Sequence, residues 1–166
     1  MTLAPATHTA HISPAALVGL ANGFALAPAP GWALRPGDPA KRPQITAPEA
    51  AADLLVPRFL GADRELCLLA ALDVKHRVLA VSTVSMGTAE HTFMAPREVY
   101  RDALLAGASA IVLAHNHPSG DETPSADDRQ VTRRLAQAGA TLGVELLDHL
   151  VVGDPGWRSL ARLGVL

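Results

Sequence analysis

From residue 46 onward the chain alternates between apolar runs and short polar breaks, and the period of each run predicts an element. "TAPEAAADLLVPRF" opens with a capping box, Thr46 bonding forward and Glu49 reaching back, and continues as a helix. "ELCLLAALD" and "RVLAVSTVSM" are apolar or β-branched runs parted by "VKH", which predicts a hairpin with strands at 65–73 and 78–86. Pro96 starts a helix, "PREVYRDALLAG", that Gly107 stops. "SAIVLA" is a short, wholly apolar strand of the kind buried on both faces. After a polar loop, a helix runs from Ser125 to Ala138 and ends at Gly139. "VELLDHLVV" is a further strand, closed by the turn "GDPG". Helix, hairpin, helix, strand, helix, strand predicts an α/β fold: a mixed β-sheet sandwiched by helices.

The first 45 residues break this pattern. Seven of the thirteen prolines lie in the first 43 residues, in text such as "ALAPAPGWALRPGDPAKRP". Such a stretch sustains neither helix nor sheet, so residues 1–45 read as an irregular Pro/Ala-rich arm ahead of a domain at 46–166. Within the arm, Ser13 and Pro14 offer one short helix start, and Trp32 offers an anchor.

Composition narrows the function classes. Charged residues make up 18% of the chain and the net charge is -2, which gives no electrostatic drive towards nucleic acid. Arg129, Arg133 and Arg134 recur at helical spacing and read as a solvated helix face. Cys67 is the single cysteine, set in an apolar run, so a buried, inert thiol is expected and no disulfide. No apolar run reaches the ~18 residues of a membrane span. No Lys or Arg precedes Arg35, so the n-region of a secretory signal is missing, and a cytoplasmic protein without membrane partners is expected.

Polar chemistry gathers in "LAHNHPSGDETPSADD", residues 113–128. His115 and His117 follow a predicted strand, and residues two apart on an extended chain point to one face. Ser125 stands at a helix start with Asp128 three residues on: a cap, and a carboxylate that complements the helix dipole. The same carboxylate is well placed to join the two imidazoles as a third ligand. That set leaves a fourth tetrahedral position open, as in catalytic zinc sites.

The spacing His115-x-His117-x7-Ser125-x2-Asp128 resembles the JAMM (MPN+) metalloprotease motif. The wider text is similar to the RadC family's JAMM domain, through "PREVYRDALLAGASAIVLAHNHPSGDETPSADD" and "LLDHLVVGD", over roughly residues 45–166. The resemblance implies the JAB1/MPN fold, which is cytidine-deaminase-like, and one zinc ion per chain on His115, His117 and Asp128. In the family a glutamate opens the first hairpin strand, eight residues before the Asp that ends it. Glu65 precedes Asp73 by that interval, so the base that takes a proton from metal-bound water falls to Glu65. Glu90 and Glu98 are the fallbacks, and Ser82 and Thr83 stand where many members have acidic residues in the second strand. Ser125 would donate to the oxyanion besides capping its helix. His149 in "LDHL" is either a support that orients a ligand or a buried, satisfied histidine. His8, His11, His76 and His91 read as solvated, and Trp157 as a packing residue.

The implied activity is hydrolysis of a peptide or isopeptide bond in a peptide or protein substrate, as in relatives that trim ubiquitin-like proteins. The alternative is DNA processing, a metal-dependent nuclease or repair factor using the same loop, since the RadC name is tied to DNA repair. Asp121, Glu122 and Asp127 keep that alternative open, although the helix-hairpin-helix segment that often precedes this domain in the family is not found in the arm. A non-catalytic MPN scaffold is disfavoured by the complete ligand set.

Overall fold

Side chains along the central strands fall into two rows, and each row meets a different layer of helix. The computed structural model describes residues 39–86, 94–154 and 156–166. The expectations for His8, His11, Ser13, Trp32, Glu90, His91 and all but the last residues of the arm lie outside these. Five strands form one sheet in the order β2-β1-β3-β4-β5. They are β1 (Leu66–Leu72), β2 (Val78–Met86), β3 (Ala110–Asn116), β4 (Glu145–Val152) and β5 (Trp157–Ser159). β3 and β4 run parallel, whereas the other neighbours are antiparallel. The sheet is mixed, as the sequence predicts.

Among the described residues three α-helices cover it: α1 (Pro48–Leu55), α2 (Pro96–Leu105) and α3 (Ala126–Leu142). Leu68, Ala70 and Leu72 of β1, with Ala110, Val112 and Ala114 of β3, pack on one face with Ala51, Ala52 and Leu55 of α1. Cys67, Leu69 and Ala71, with Ile111 and Leu113, pack on the other with Val99, Tyr100 and Ala103 of α2 and Leu135 of α3. This period-two division is why β3 reads as continuously apolar: both of its faces are covered.

β4 departs from simple alternation. Ile111 pairs with Leu146 and Val112 with Asp148, so Leu147 is an extra residue without a partner on β3. This bulge shifts the alternation by one. Leu146 packs on the α2/α3 face and Leu150 and Val152 on the α1 face, so His149 returns to the α2/α3 side.

Four expectations need correction. The capping box at Thr46 does not form: α1 begins at Pro48, its N-cap is Ala47, and no side chain caps it. Pro at the first position needs no N–H partner. Glu49 instead pairs with Arg162, at 2.6 Å. The helix also stops at Leu55 and tightens into a 3-10 turn over Val56–Phe59, because Pro57 cannot donate to the helical ladder. The third correction is the end of α3, which runs past Gly139 to a left-handed Gly143 (φ 70°). Gly139 is there for space: a Cβ would run into the Tyr100 hydroxyl and the Val144 carbonyl. The fourth is β5, which the sequence reading missed. Elsewhere Asp73 closes the β1–β2 turn by accepting from Lys75 N and Arg77 N and Nε. Among the described residues no helix is long and apolar enough to cross a membrane.

Candidate metal centre

β3 carries its inward row one step beyond the hydrophobic core, and that step is His115. Ile111 and Leu113 lie on the same row, so His115 arrives fully buried over the α2/α3 face. His117 follows where the strand ends and is held by its own backbone, whose N–H donates to Val152 O at 2.9 Å. Its Nδ1 sits 2.7 Å from the Asp121 carbonyl, which leaves Nε2 directed at His115. The two Nε2 atoms are 3.0 Å apart.

Asp128 reaches the same point from the first turn of α3. Ser125 is the N-cap, and the capping box is complete in both directions. Asp128 N donates to Ser125 Oγ at 3.0 Å, while Ser125 N and Oγ donate to Asp128 Oδ2 at 2.7 and 2.6 Å. With Oδ2 so occupied, Oδ1 lies 3.1 Å from His115 Nε2. His117 Nε2 is 3.5 Å from Oδ2. His115, His117 and Asp128 thus form a group of three donors that can hold a metal ion, their ligand atoms all within 4.8 Å of one another.

The electrostatics match this convergence. Burial alone would raise the Asp128 carboxyl, but the hydrogen bonds of His115 and His117, the His115 charge and the Ser125 hydroxyl hold it far below the usual carboxylate range. The Asp128 hydrogen bond raises His117 above an ordinary histidine, against its partial burial, and the Asp121 carbonyl and the Glu65 charge add to the rise. His149 goes the other way: complete burial holds it well below the ordinary value, so the ring stays neutral. Burial likewise raises the Cys67 thiol, with Glu65 adding to the rise, which fits an inert sulfur.

Glu65 immediately precedes β1 and is buried. Cys67 pairs with His115, so the antiparallel register carries Glu65 towards His117 at the open end of the sheet. Asn116 fixes this approach: its Oδ1 accepts from Leu66 N at 2.8 Å, and its Nδ2 donates to Arg64 O at 3.2 Å. One side chain between the two histidines thereby clamps the backbone on both sides of Glu65. Sequence reasoning passed over Asn116, and also Thr132, whose Oγ1 lies 2.7 Å from His149 Nδ1. His149 Nε2 meets His115 Nδ1 at 2.8 Å.

The other candidates are apart from this cluster or engaged elsewhere. Glu98 pairs with Arg97 in the first turn of α2. Asp121 accepts from Thr123 N at 2.8 Å, Glu122 pairs with Arg158 at 3.2 Å, and Asp127 faces solvent. Arg133 and Arg134 are exposed on α3. Trp157 packs against the α1 face beneath the Arg162 guanidinium. The loop between His117 and Ser125 is latched to the β4–β5 turn, with Asp154 N donating to Gly120 O at 2.9 Å. Gly120 has a φ of +82°, and a Cβ on Gly153 would strike the Gly120 carbonyl, so this latch needs glycine on both sides.

Comparison with known proteins gives the fold a family. Residues 45–165 match the RadC-like JAB domain. A UPF0758 protein of Desulfitobacterium hafniense is 42% identical over 129 residues, 78% of this chain and 57% of its own length. UPF0758 proteins of Symbiobacterium thermophilum and Moorella thermoacetica are 44% and 45% identical, over 77% and 75% of this chain and 55% of each relative. The chain therefore spans little more than half the length of these relatives. With a mixed five-stranded sheet between helices and this sequence match over most of its length, the chain belongs to the RadC-like JAB domain family.

Proposed function

We propose that the chain is a zinc-dependent hydrolase of JAMM type that cleaves a peptide or isopeptide bond. The observation that carries this reading is the convergence of His115 Nε2, His117 Nε2 and the Asp128 carboxylate, with separations of 3.0, 3.1 and 3.5 Å. Tetrahedral ligands ~2.0–2.1 Å from zinc stand roughly 3.3 Å from one another, so the spacing suits that ion. Two imidazoles and one carboxylate also leave a position for water, which separates catalytic from structural zinc sites.

Zinc, when bound, supplies a Lewis acid and brings the pKa of water towards ~7. The chain's own residues do the rest. Glu65 takes a proton from the attacking water and returns it to the leaving amine. Its burial and its register opposite the histidine loop support that role. The Ser125 hydroxyl donates to Asp128 in this structure, and serving the oxyanion requires it to rotate away. Ser125 N would keep its bond to Asp128 Oδ2 through that rotation, so the ligand would stay in place. The substrate is a peptide or protein, of the ubiquitin-like class by resemblance, met in the cytoplasm.

Phosphodiester cleavage by two metals finds less support, because it needs further carboxylate ligands. Asp121 and Glu122 are already committed, to the Thr123 backbone and to Arg158. Metal analysis of the full chain, with an activity screen on peptide, isopeptide and single-stranded DNA substrates, tests the reading. About one zinc per chain and chelator-sensitive cleavage of a peptide or isopeptide bond are expected. Full zinc content in a His115→Ala/His117→Ala variant, or cleavage of DNA alone, would overturn it.

A further inference from the structure

Behind His115 runs a second line of polar groups, closed off from the surface. His115 Nδ1 meets His149 Nε2 at 2.8 Å, and His149 Nδ1 meets Thr132 Oγ1 at 2.7 Å. Thr132 Oγ1 in turn lies 2.6 Å from the Asp128 carbonyl oxygen. All three side chains are fully buried. The line starts on the strand that carries His115 and ends on the helix turn that carries Asp128.

Hydrogen counting gives the line a direction. The Asp128 carbonyl can only accept, so the single hydrogen of the Thr132 hydroxyl goes to it. Thr132 then has only lone pairs for His149, so His149 Nδ1 must donate. An enclosed imidazole is neutral and holds one ring hydrogen, which leaves Nε2 as an acceptor. His115 Nδ1 must therefore donate to it, so the hydrogen that His115 Nε2 directs at Asp128 Oδ1, 3.1 Å away, is the one a metal would displace, leaving the lone pair on Nε2. The reverse order would set two oxygens, Thr132 Oγ1 and Asp128 O, against each other at 2.6 Å with no hydrogen between them.

We propose that Thr132 and His149 are positioning residues that fix His115 in its Nδ1–H form and aim its Nε2 lone pair at the metal. The proposal rests on the reading of His115, His117 and Asp128 as metal ligands. The line also ties the His115 ring to the α3 turn, so the ligands from β3 and α3 are oriented as one unit. A histidine ligand ordinarily has such a partner in a carboxylate or a carbonyl. Here a neutral histidine takes that place and passes the requirement on to a hydroxyl anchored on a main-chain carbonyl.

The test uses the full chain and two readouts. Nitrogen NMR of the metal-free protein reports which His115 nitrogen carries hydrogen, and competition with a chromophoric chelator reports zinc affinity. Wild type should show hydrogen on His115 Nδ1. Thr132→Val keeps the shape but frees His149 to reverse, so the Nδ1–H signal of His115 should fall and zinc affinity drop by ~10–100-fold. Thr132→Ser restores the hydroxyl and should recover both. In His149→Gln the amide accepts at one end and donates at the other, so it should stay near wild type, where His149→Leu should not. An unchanged His115 signal and zinc affinity in folded Thr132→Val would overturn the proposal. Full zinc binding by His115→Ala/His117→Ala would instead overturn the ligand reading beneath it, and the proposal with it.

Discussion

The two faces of β3 have the same strand, the same backbone and nearly the same burial, yet opposite contents. Towards α1 the strand shows Ala110, Val112 and Ala114, joined by Leu150 and Val152 of β4, before the row ends on buried Asn116. Towards α2 and α3 the row Ile111, Leu113 passes to His115, and β4 adds His149. An unpaired polar atom at such depth costs about 1–3 kcal/mol. The second face tolerates two buried imidazoles because all four of their ring nitrogens meet a polar partner. One face is held together by packing, the other by hydrogen bonds that all have to be made together.

Glu65→Gln should separate chemistry from both kinds of cohesion. It keeps the size and polarity of the side chain but cannot take a proton, and losing a general base costs ~10²–10⁴-fold in rate. Zinc content and thermal stability should match wild type. If peptide cleavage also matched wild type, the base would lie elsewhere, at Glu90 or Glu98.

On the dry face, Leu150→Ala should remove about 2–5 kcal/mol of stability while leaving zinc stoichiometry intact in the folded protein. Denaturant unfolding with a parallel metal assay would read both. A zinc defect without a stability loss would show that the two faces are not separable.

Asn116→Ala should act between these extremes. The ligands stay, but the backbone beside Glu65 loses its clamp, and a displacement of about 1 Å can cost ~10²-fold in turnover. A large loss of kcat with normal zinc content is expected. Asn116→Asp keeps the acceptor for Leu66 N and should recover part of the rate.

The smallest effect is in pH. On the proposed function metal binding needs neutral His117, and Asp128 raises that histidine, so protons should displace zinc as pH falls through the raised value, about tenfold in affinity per unit. The metal-free protein should show the opposite slope. A raised histidine contributes stability that is complete below its unfolded value of ~6.5 and is lost as pH rises through its folded value. Depressed Asp128 contributes above ~3.9 and loses that contribution as pH falls below it. Both contributions are present together between those limits, where the stability difference between metal-free wild type and His117→Ala should peak. A difference that grows from pH 6.5 to 8 would contradict the hydrogen bond assigned to His117.

Much of this architecture was legible in local pattern. The hairpin, the buried β3 and the start of α3 follow from apolar runs, Pro and the Ser125–Asp128 spacing, all within a few residues of one another. Distances across the fold were not legible. Asn116 acts on residues fifty positions away, through a β1–β3 register that no local period reveals. Thr132 looks like an ordinary helix residue until β4 brings His149 beside it. Gly139 reads locally as a helix stop because its cause, close packing on Tyr100, lies on another element. β5 has three residues, too few for a period. Glu49 looks like a capping residue in its local sequence because Arg162, its partner, lies 113 residues on.

The unpaired Leu147 gives β4 an unusual tolerance in evolutionary terms. An insertion or deletion at most places in a strand reverses which side every later residue faces. Deleting Leu147 would not do so, because Leu146 and Asp148 already pair with consecutive residues of β3. Deleting Asp148 would have the same result, because Leu147 would then stand opposite Val112 and His149 would stay opposite Leu113. Lineages that shorten this strand and keep the histidine on its side should therefore do so at Leu147 or Asp148.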